Sequence, residues 1–567
     1  MRVPANHGLM PCMQPLERNT DPPRWAQWGV LLAALFLVWH SLGNHALFPP
    51  DEGRYASVSG WMAEHGNWLA PQLRDQIHLT KPPLTYWAQA VCVRVFGHEE
   101  FAVRFPSAFA SSIVLVSLFW FARRTCGPLS AMLAVGLLAC MPLVQIVGRL
   151  AITDPMLSAW WWLALCSAWL AVEAGRASGR RHAGWIAAFW SACALIGLTK
   201  GPLVLAPSTI VAVWLLVAGR LREMRFLLPS LGLPMALLPL GVVGYLYWHA
   251  DPARAVRIWN YEFVDRFTGE GGHDDPWWAL LPAFLGGFFP ATCMMMLPWF
   301  NMSPARAWGF VRGGDLRALL LVAVVLPLIG FSALSGKEAT YLLPLAAPLA
   351  LLVSGTLVRW IDGSAADLPA GITPPDVRVT TCIAITVVGI GIPIAAAVVV
   401  FRGNAPAWLP GWSLVWMAAP LLPAVVAAWI AVKWWKWRER RLPALGVCFM
   451  ASFAMWLGFH QAEDTAMRAM SSKPVAEAIA ACERPCVVYT TRNLTIDWYS
   501  GTWIDYAIGP GVLGPWIEAH PRGCVIAVED DIARLARLEP KMAARLRERA
   551  RFDVWPMKKL LMLDVVR

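Results

Sequence analysis

The run Pro50-Asp51-Glu52-Gly53-Arg54-Tyr55 packs two carboxylates, a guanidinium and a phenol into less than two helical turns. A second cluster follows at Leu79-Thr80-Lys81-Pro82-Pro83. Isolated charges then recur at Asp154 in Thr-Asp-Pro, Lys200 in Thr-Lys-Gly-Pro, and Lys337 in Ser-Gly-Lys-Glu-Ala-Thr-Tyr, which ends on Tyr341. These residue types suit the transfer of a sugar away from a phosphate. A carboxylate deprotonates an acceptor or steadies positive charge at the anomeric carbon, and cations neutralise the departing phosphate. Asp51, Glu52 and Asp154 are the candidate catalytic acids. Arg54, Tyr55, Lys81, Lys200, Lys337 and Tyr341 are the candidate substrate-binding groups. His273, after Gly-Glu-Gly-Gly, is the candidate metal ligand.

Each has an ordinary alternative. Asp51 and Asp154 stand where a helix N-cap belongs. Arg54 and Lys81 suit lipid headgroups, Tyr341 suits an interfacial aromatic belt, and a histidine in a glycine-rich loop is commonly just solvated.

The elements that carry these residues are set by composition. The chain has 567 residues, 57% of them hydrophobic and only 15% charged, against roughly 25% charged in soluble domains. Apolar runs of about 17–25 residues recur up to residue 461, each long enough for a bilayer core of about 30 Å. The predicted fold is therefore an all-α polytopic membrane protein. About thirteen spans are expected, near 26–43, 106–122, 129–147, 156–174, 184–199, 203–218, 227–248, 277–300, 317–334, 341–357, 379–401, 412–432 and 443–461. The first run lacks a small-residue cleavage pattern and reads as a retained helix. A formal charge of +11 does not signal nucleic acid, because Lys and Arg gather in short loops between apolar runs. Cysteines are scattered without Cys-x-x-Cys spacing.

Cationic loops such as Arg123-Arg124, Arg180-Arg181 and Arg220/Arg222/Arg225 fall on one side, which the positive-inside rule makes cytoplasmic. The opposite side holds the long segments 44–105 and 249–276 and the isolated cations Arg149, Lys200, Lys337 and Arg402, whose simplest purpose is to meet an anionic ligand. Within 44–105, Tyr55/Val58/Trp61/Met62 and Leu84/Trp87/Ala88/Val91/Val95 have helical spacing and predict two amphipathic helices lying along the interface. The transmembrane domain is predicted to span 1–464. Residues 465–567 switch to strand-length apolar runs, Cys486–Tyr489 and Cys524–Val528, with helical stretches at Val475–Ala481 and Asp531–Arg537. They predict a small α/β domain on the outer side, in which Cys482 and Cys486 are a candidate disulfide.

With these residues the chain resembles the GT-C type lipid-dependent glycosyltransferases, specifically the bacterial lipid A aminoarabinose transferase and protein O-mannosyltransferase-like family. The matching pieces are Asp51-Glu52-x-Arg54-Tyr55, Lys81-Pro82-Pro83-Leu84 with Tyr86-Trp87, Arg104-Phe105-Pro106, Thr153-Asp154-Pro155, Thr199-Lys200-Gly201-Pro202, and Lys337 through Tyr341-x-x-Pro344. The resemblance implies a place in the bacterial inner membrane, with the active site and C-terminal domain facing the periplasm; the chain is expected to work as a monomer. It implies transfer of 4-amino-4-deoxy-L-arabinose from undecaprenyl phosphate to a lipid A phosphate. Asp51 is then the catalytic carboxylate, with Arg54, Lys81, Lys200 and Tyr341 around the donor phosphate. It also implies a zinc ion held by a glutamate before the Lys-Pro-Pro lysine and by a histidine of the second outer loop. Here His273 is the matching histidine, but the glutamate's position is Thr80, and threonine is a poor zinc donor. The same chemistry serves a protein hydroxyl or another envelope glycan as acceptor. A lipid transporter or flippase would instead place its charges near the bilayer midplane and show two related halves.

Overall fold

The computed structural model describes residues 21–66, 68–73, 76–78, 80–228, 232–260, 275–292, 294–295, 304–362, 441–469, 471–490, 494–554 and 558–566. Among these, seven helical segments are long and apolar enough to cross a membrane: Glu100–Cys126, Asp154–Ser178, Ala183–Val217 (broken at Gly201), Gly232–Ala250, Leu316–Ala333, Ala339–Arg359 and Arg441–Gln461. Arg24–Trp39 and Pro128–Cys140 are shorter apolar helices. The spans expected near 379–401 and 412–432 lie outside the described residues.

In chain order, α1 is Arg24–Trp39, α2 Asp51–His65, α3 Leu84–Phe96, α4 Glu100–Cys126, α5 Pro128–Cys140 and α6 Pro142–Val147. Then come α7 Asp154–Ser178, α8 Ala183–Lys200, α9 Ala206–Val217 and α10 Gly232–Ala250. Between α2 and α3 a two-residue antiparallel ladder pairs β1 (Gln72–Leu73) with β2 (Gln76–Ile77). Helices α4, α5, α7 and α8 pack into one apolar core together with Leu316–Ala333 and Ala346–Asp362. Where α5 meets Ala346–Asp362, the buried hydroxyls of Ser130 and Ser354 bond at 2.7 Å, so neither is left unpaired in an apolar contact.

The path of α7 and α8 separates two kinds of charge. At about 1.5 Å per residue, α7 carries the chain roughly 37 Å from Asp154 to its far end, and α8 returns to Lys200. Asp154 and Lys200 therefore share one end. The far end holds Arg176, Arg220, Glu173 and Glu223, linked by ion pairs such as Arg176–Glu173 at 2.7 Å and Arg220–Glu223 at 2.5 Å. Arg176 and Arg220 at that end are thus paired with acids, while Lys200, paired with Asp154, also lines a cavity.

Helix α2 departs from the expected interfacial placement. Almost its whole circumference is buried: Tyr55, Ala56, Ser57, Val58, Ser59, Gly60 and Met62 are all covered. Its composition explains why. Gly53, Ser57, Ser59 and Gly60 leave flat surfaces that neighbours approach closely, so it is wedged between α3 and the C-terminal unit and does not float on lipid. Helix α3 does keep an apolar outer face, with Val91, Val95 and Phe96 exposed.

The last long helix, Arg441–Ala469, continues past residue 464. Beyond it lies the α/β unit. The predicted strands are present as β3 (Cys486–Tyr489) and β5 (Cys524–Val528), joined by β4 (Asp505–Ala507), β6 (Leu546–Val554) and β7 (Lys558–Val565). Sheet order is β4-β3-β5-β7-β6, with β3 parallel to β4 and β5, and β7 antiparallel to β5 and β6. Both faces of the sheet are covered, and β5 is buried at every position, as a central strand between two layers must be. The helix Leu494–Ser500 leaves this unit and docks on α2. Ser57 Oγ donates to the Leu494 carbonyl at 3.0 Å, the Leu47 amide donates to Tyr499 Oη at 2.8 Å, and His98 stacks on Trp498 at 3.4 Å between ring centres. A Cβ on Gly53 would lie 2.5 Å from Thr495 Cγ2, so only glycine permits this approach.

Candidate active site

Asp51 and Glu52 are neighbours with opposite surroundings. Asp51 opens α2 and is more than half exposed; its Oδ1 accepts from Arg54 Nη2 at 2.5 Å. It makes no capping hydrogen bond, the N-cap position belonging to Pro50. Glu52 turns into the protein, where 1% of its side chain is accessible. Arg104 grips it through Nε at 2.9 Å and Nη2 at 2.7 Å, and the Phe48 and Ala151 amides donate to it at 2.8 and 2.7 Å. Burial alone would raise the Glu52 carboxyl, but the Arg104 charge and these donors outweigh it and hold the group below its ordinary range. Arg104 also donates to the carbonyls of Leu42, His45 and Ala46. Glu52 and Arg104 thereby tie the loop before α2, the start of α4 and the loop before α7 into one frame.

That frame fixes Asp154, three residues past Ala151. Asp154 begins α7, buried, and Lys200 Nζ donates to its Oδ1 at 2.7 Å. No capping bond forms here either; the N-cap residue is Thr153. Lys200 is the last residue of α8. The helix stops because Gly201 takes φ +53°, a left-handed value that a side chain would strain, and because Pro202 follows; a 3-10 turn, Gly201–Leu205, leads into α9. The predicted interruption at Thr-Lys-Gly-Pro is thus present. Lys200 Nζ also lies 4.3 Å from the ring centre of Tyr341, within cation–π range.

The Lys-Pro-Pro segment meets this turn. A Cβ on Gly201 would lie 3.9 Å from Pro82 Cγ, and Tyr247 at the end of α10 donates its hydroxyl to the Lys81 carbonyl at 3.1 Å. Lys81, Lys200 and Tyr341 line one cavity of about 650 Å³. Its other walls are mainly apolar and include Leu240, Val243, Trp248, Phe331 and Leu334.

Other predicted residues stand outside that lining. Tyr55 is buried and stacks on Tyr86 with ring centres 5.4 Å apart; burial pushes its phenol up, so it stays protonated under the fields of Arg54, Asp154 and Asp51. Lys337 donates from Nζ to the Asp275 carbonyl at 2.7 Å and from its amide to Asp275 Oδ2 at 3.3 Å, which holds the segment entering Pro276. His273 lies outside the described residues.

The sequence reading overlooked His78, Tyr247 and the grip of Arg104 on Glu52. His78 Nε2 bonds Thr80 Oγ1 at 2.7 Å. Burial, then the charges of Arg54, Arg254 and Lys81, bring its pKa down to about 3, so the imidazole is neutral. The available signal was its place two residues before Thr80. Of the donors to the zinc ion that the resemblance implies, His273 lies outside the described residues, so the set is not tested here. Thr80 offers a hydroxyl engaged with His78, and among the described residues the only gathered trio of His, Cys, Asp or Glu ligand atoms is Cys482, Cys486 and Cys524 in the C-terminal unit.

Comparison with known proteins agrees with the resemblance read from the motifs. Residues 80–248 match the family described as dolichyl-phosphate-mannose-protein mannosyltransferase. An undecaprenyl phosphate-alpha-4-amino-4-deoxy-L-arabinose arabinosyl transferase from Edwardsiella ictaluri is 34% identical over 338 residues, which is 58% of this chain and 59% of that protein. A Pseudomonas fluorescens protein described in the same terms is 34% identical over 354 residues, 59% of this chain and 60% of its own. The chain thus matches about three-fifths of the length of these curated relatives. The crystal structure of ArnT from Cupriavidus metallidurans bound to undecaprenyl phosphate superposes with a TM-score of 0.76 at 20% identity, covering 95% of this chain and 98% of that one. This multi-helix bundle with its small C-terminal sheet is the fold that ArnT adopts.

Proposed function

We propose that the chain is an integral-membrane glycosyltransferase that moves 4-amino-4-deoxy-L-arabinose from undecaprenyl phosphate to a lipid A phosphate. One observation carries the reading: Lys81 and Lys200, with Tyr341, stand together on a cavity whose remaining walls are largely apolar. A polyprenyl phosphate has the same two-part character, an apolar tail ending in an anion. The relatives matched in sequence carry that donor in their names.

In this mechanism Lys81 and Lys200 neutralise the donor phosphate as the bond from the anomeric carbon to the phosphate oxygen breaks and its electron pair leaves with the lipid phosphate. Asp154 holds Lys200 in place through their 2.7 Å pair, and Tyr341 supplies its aromatic face. Asp51, the accessible acid, steadies positive charge growing on the sugar. A phosphomonoester acceptor is already largely ionised near neutral pH and needs no base; a hydroxyl acceptor would use Asp51 to take its proton. Glu52, enclosed among four donors, positions these groups and does not react. Arg54 orients Asp51. The end carrying Asp51 and the cavity mouth faces the periplasm of a bacterial inner membrane, since the cationic loops gather at the other end.

The test is mass spectrometry of lipid A from cells with and without the chain. A mass gain equal to aminoarabinose, lost in the Asp51→Asn variant while protein level and melting stay unchanged, supports the proposal. Unchanged lipid A alongside altered glycoproteins favours a protein mannosyl transfer, the second reading, which rests on the family match over 80–248.

A further inference from the structure

We propose that Cys482, Cys486 and Cys524, with the thioether of Met562, form a copper(I)-binding site in the C-terminal unit. The three cysteines are free thiols, so the candidate Cys482–Cys486 disulfide is not formed in this structure. Topology brings them together. Strands β3 and β5 run parallel with Cys486 directly opposite Cys524, and the turn after the helix Lys473–Ala480 returns Cys482 to the same edge. All three Sγ atoms lie within 4.8 Å of one another. Thiolates bound at about 2.3 Å around one ion stand roughly 4 Å apart, so the trio closes with sub-ångström shifts.

The surroundings select the ion. Met562 on β7 is packed in the same buried cluster as Cys482 and Cys524, which adds a second soft sulfur ligand type. Among the described residues no histidine or carboxylate joins the group. An all-sulfur set excludes hard cations, and its thioether, a donor that Cys/His zinc sites do not use, points to copper(I). Binding displaces the thiol protons to solvent, and Arg549, which donates from Nη1 to Cys482 Sγ at 3.2 Å, offsets the negative charge that results. The Cys486 thiol now donates to the Arg484 carbonyl at 3.4 Å, a weak bond that deprotonation releases. Asp564, opposite Cys524 on β7, is flanked by Arg484 at 3.5 Å and Arg549 at 3.6 Å, which keeps those guanidinium groups at the site's edge. Cys524 and Cys482 are buried, while Cys486 is partly exposed and gives the ion its way in.

The full-length chain, purified in detergent under reducing conditions, is titrated with copper(I) against a chromogenic copper(I) chelator. About one equivalent is expected to be withdrawn from the chelator, and none by the Cys482→Ser/Cys486→Ser/Cys524→Ser variant. Because two of those positions are buried, the single variant at the partly exposed position, Cys486→Ser, is measured beside it, with circular dichroism to establish folding. It is expected to weaken binding at least tenfold, and Met562→Leu by a smaller factor. Copper uptake unchanged by Cys486→Ser in a folded chain overturns the proposal. So does alkylation mapping of the isolated protein that finds two of the three cysteines joined as a disulfide.

Discussion

Replacing Glu52 by glutamine separates a structural from a chemical role for the second acid of the Asp-Glu pair. All four groups that touch the Glu52 carboxylate are donors: Arg104 Nε and the Ala151 amide on one oxygen, Arg104 Nη2 and the Phe48 amide on the other. A glutamine side chain has one acceptor oxygen and one NH2 donor. Whichever way it turns, the NH2 faces two donors and Arg104 loses its counter-charge with 1% of its side chain accessible. Breaking a buried pair by removing one partner costs about 3–5 kcal/mol, and the carbonyls of Leu42, His45 and Ala46 only partly compensate the guanidinium. Thermal unfolding in detergent, followed by tryptophan fluorescence, should show Glu52→Gln melting well below the parent chain. Sugar transfer should fall with the folded fraction. A variant that melts like the parent yet transfers no sugar would refute this reasoning and make Glu52 a reacting group.

Gly53→Ala places a methyl 2.5 Å from Thr495 Cγ2, and overpacking of this kind costs about 1–3 kcal/mol; differential scanning should detect it, and an unchanged melt would mean that α2 and the helix Leu494–Ser500 do not dock as described. His78 gives the stability a pH dependence. Its folded pKa is down at about 3 against an ordinary 6.5, so between those values the unfolded chain binds a proton that the folded chain does not. The stabilisation is whole at pH 7 and falls as pH drops below 6.5, by about 2 kcal/mol at pH 5; His78→Gln should flatten that part of the melting profile, and an unaltered slope would contradict the assignment. Tyr341→Phe keeps the ring under Lys200 and should leave donor binding nearly intact, whereas Tyr341→Ala should weaken it about 2- to 30-fold, the equivalent of a cation–π contact of about 0.5–2 kcal/mol. Equal losses in both variants would assign the effect to the hydroxyl.

What could be read from the sequence was whatever depends on a short window. Apolar length announced the spans, because a bilayer demands an unbroken run. The stop at Lys200 was written in Gly201-Pro202, one residue at positive φ and one without an amide proton. Strands β3 and β5 showed as apolar runs, but β6 did not: its Leu-Arg-Glu-Arg-Ala-Arg-Phe-Asp-Val run is the charged edge of the sheet and looks like solvated chain. The second apolar span is expected near 106–122, whereas α4 begins at Glu100 and carries Pro106 internally. What stayed hidden depends on partners distant in sequence. Glu52 reads as a second catalytic acid beside Asp51, and Asp154 as either an acid or a cap; Arg104 on the one and Lys200 on the other give them their places. Helix α2 was expected at the lipid surface because its covering helix comes from a unit more than 400 residues away, as in the Ser57–Leu494 contact with a separation of 437.

Native mass spectrometry of the detergent-solubilised chain measures directly whether the cavity cations hold a lipid phosphate. Undecaprenyl phosphate should bind and undecaprenol should not compete. Lys81→Ala and Lys200→Ala should each weaken binding about 10- to 100-fold, the range for loss of a hydrogen bond to a charged group of about 1.5–3 kcal/mol. Equal affinity for the lipid with and without its phosphate, or undiminished binding in both lysine variants, would contradict that role for the cations.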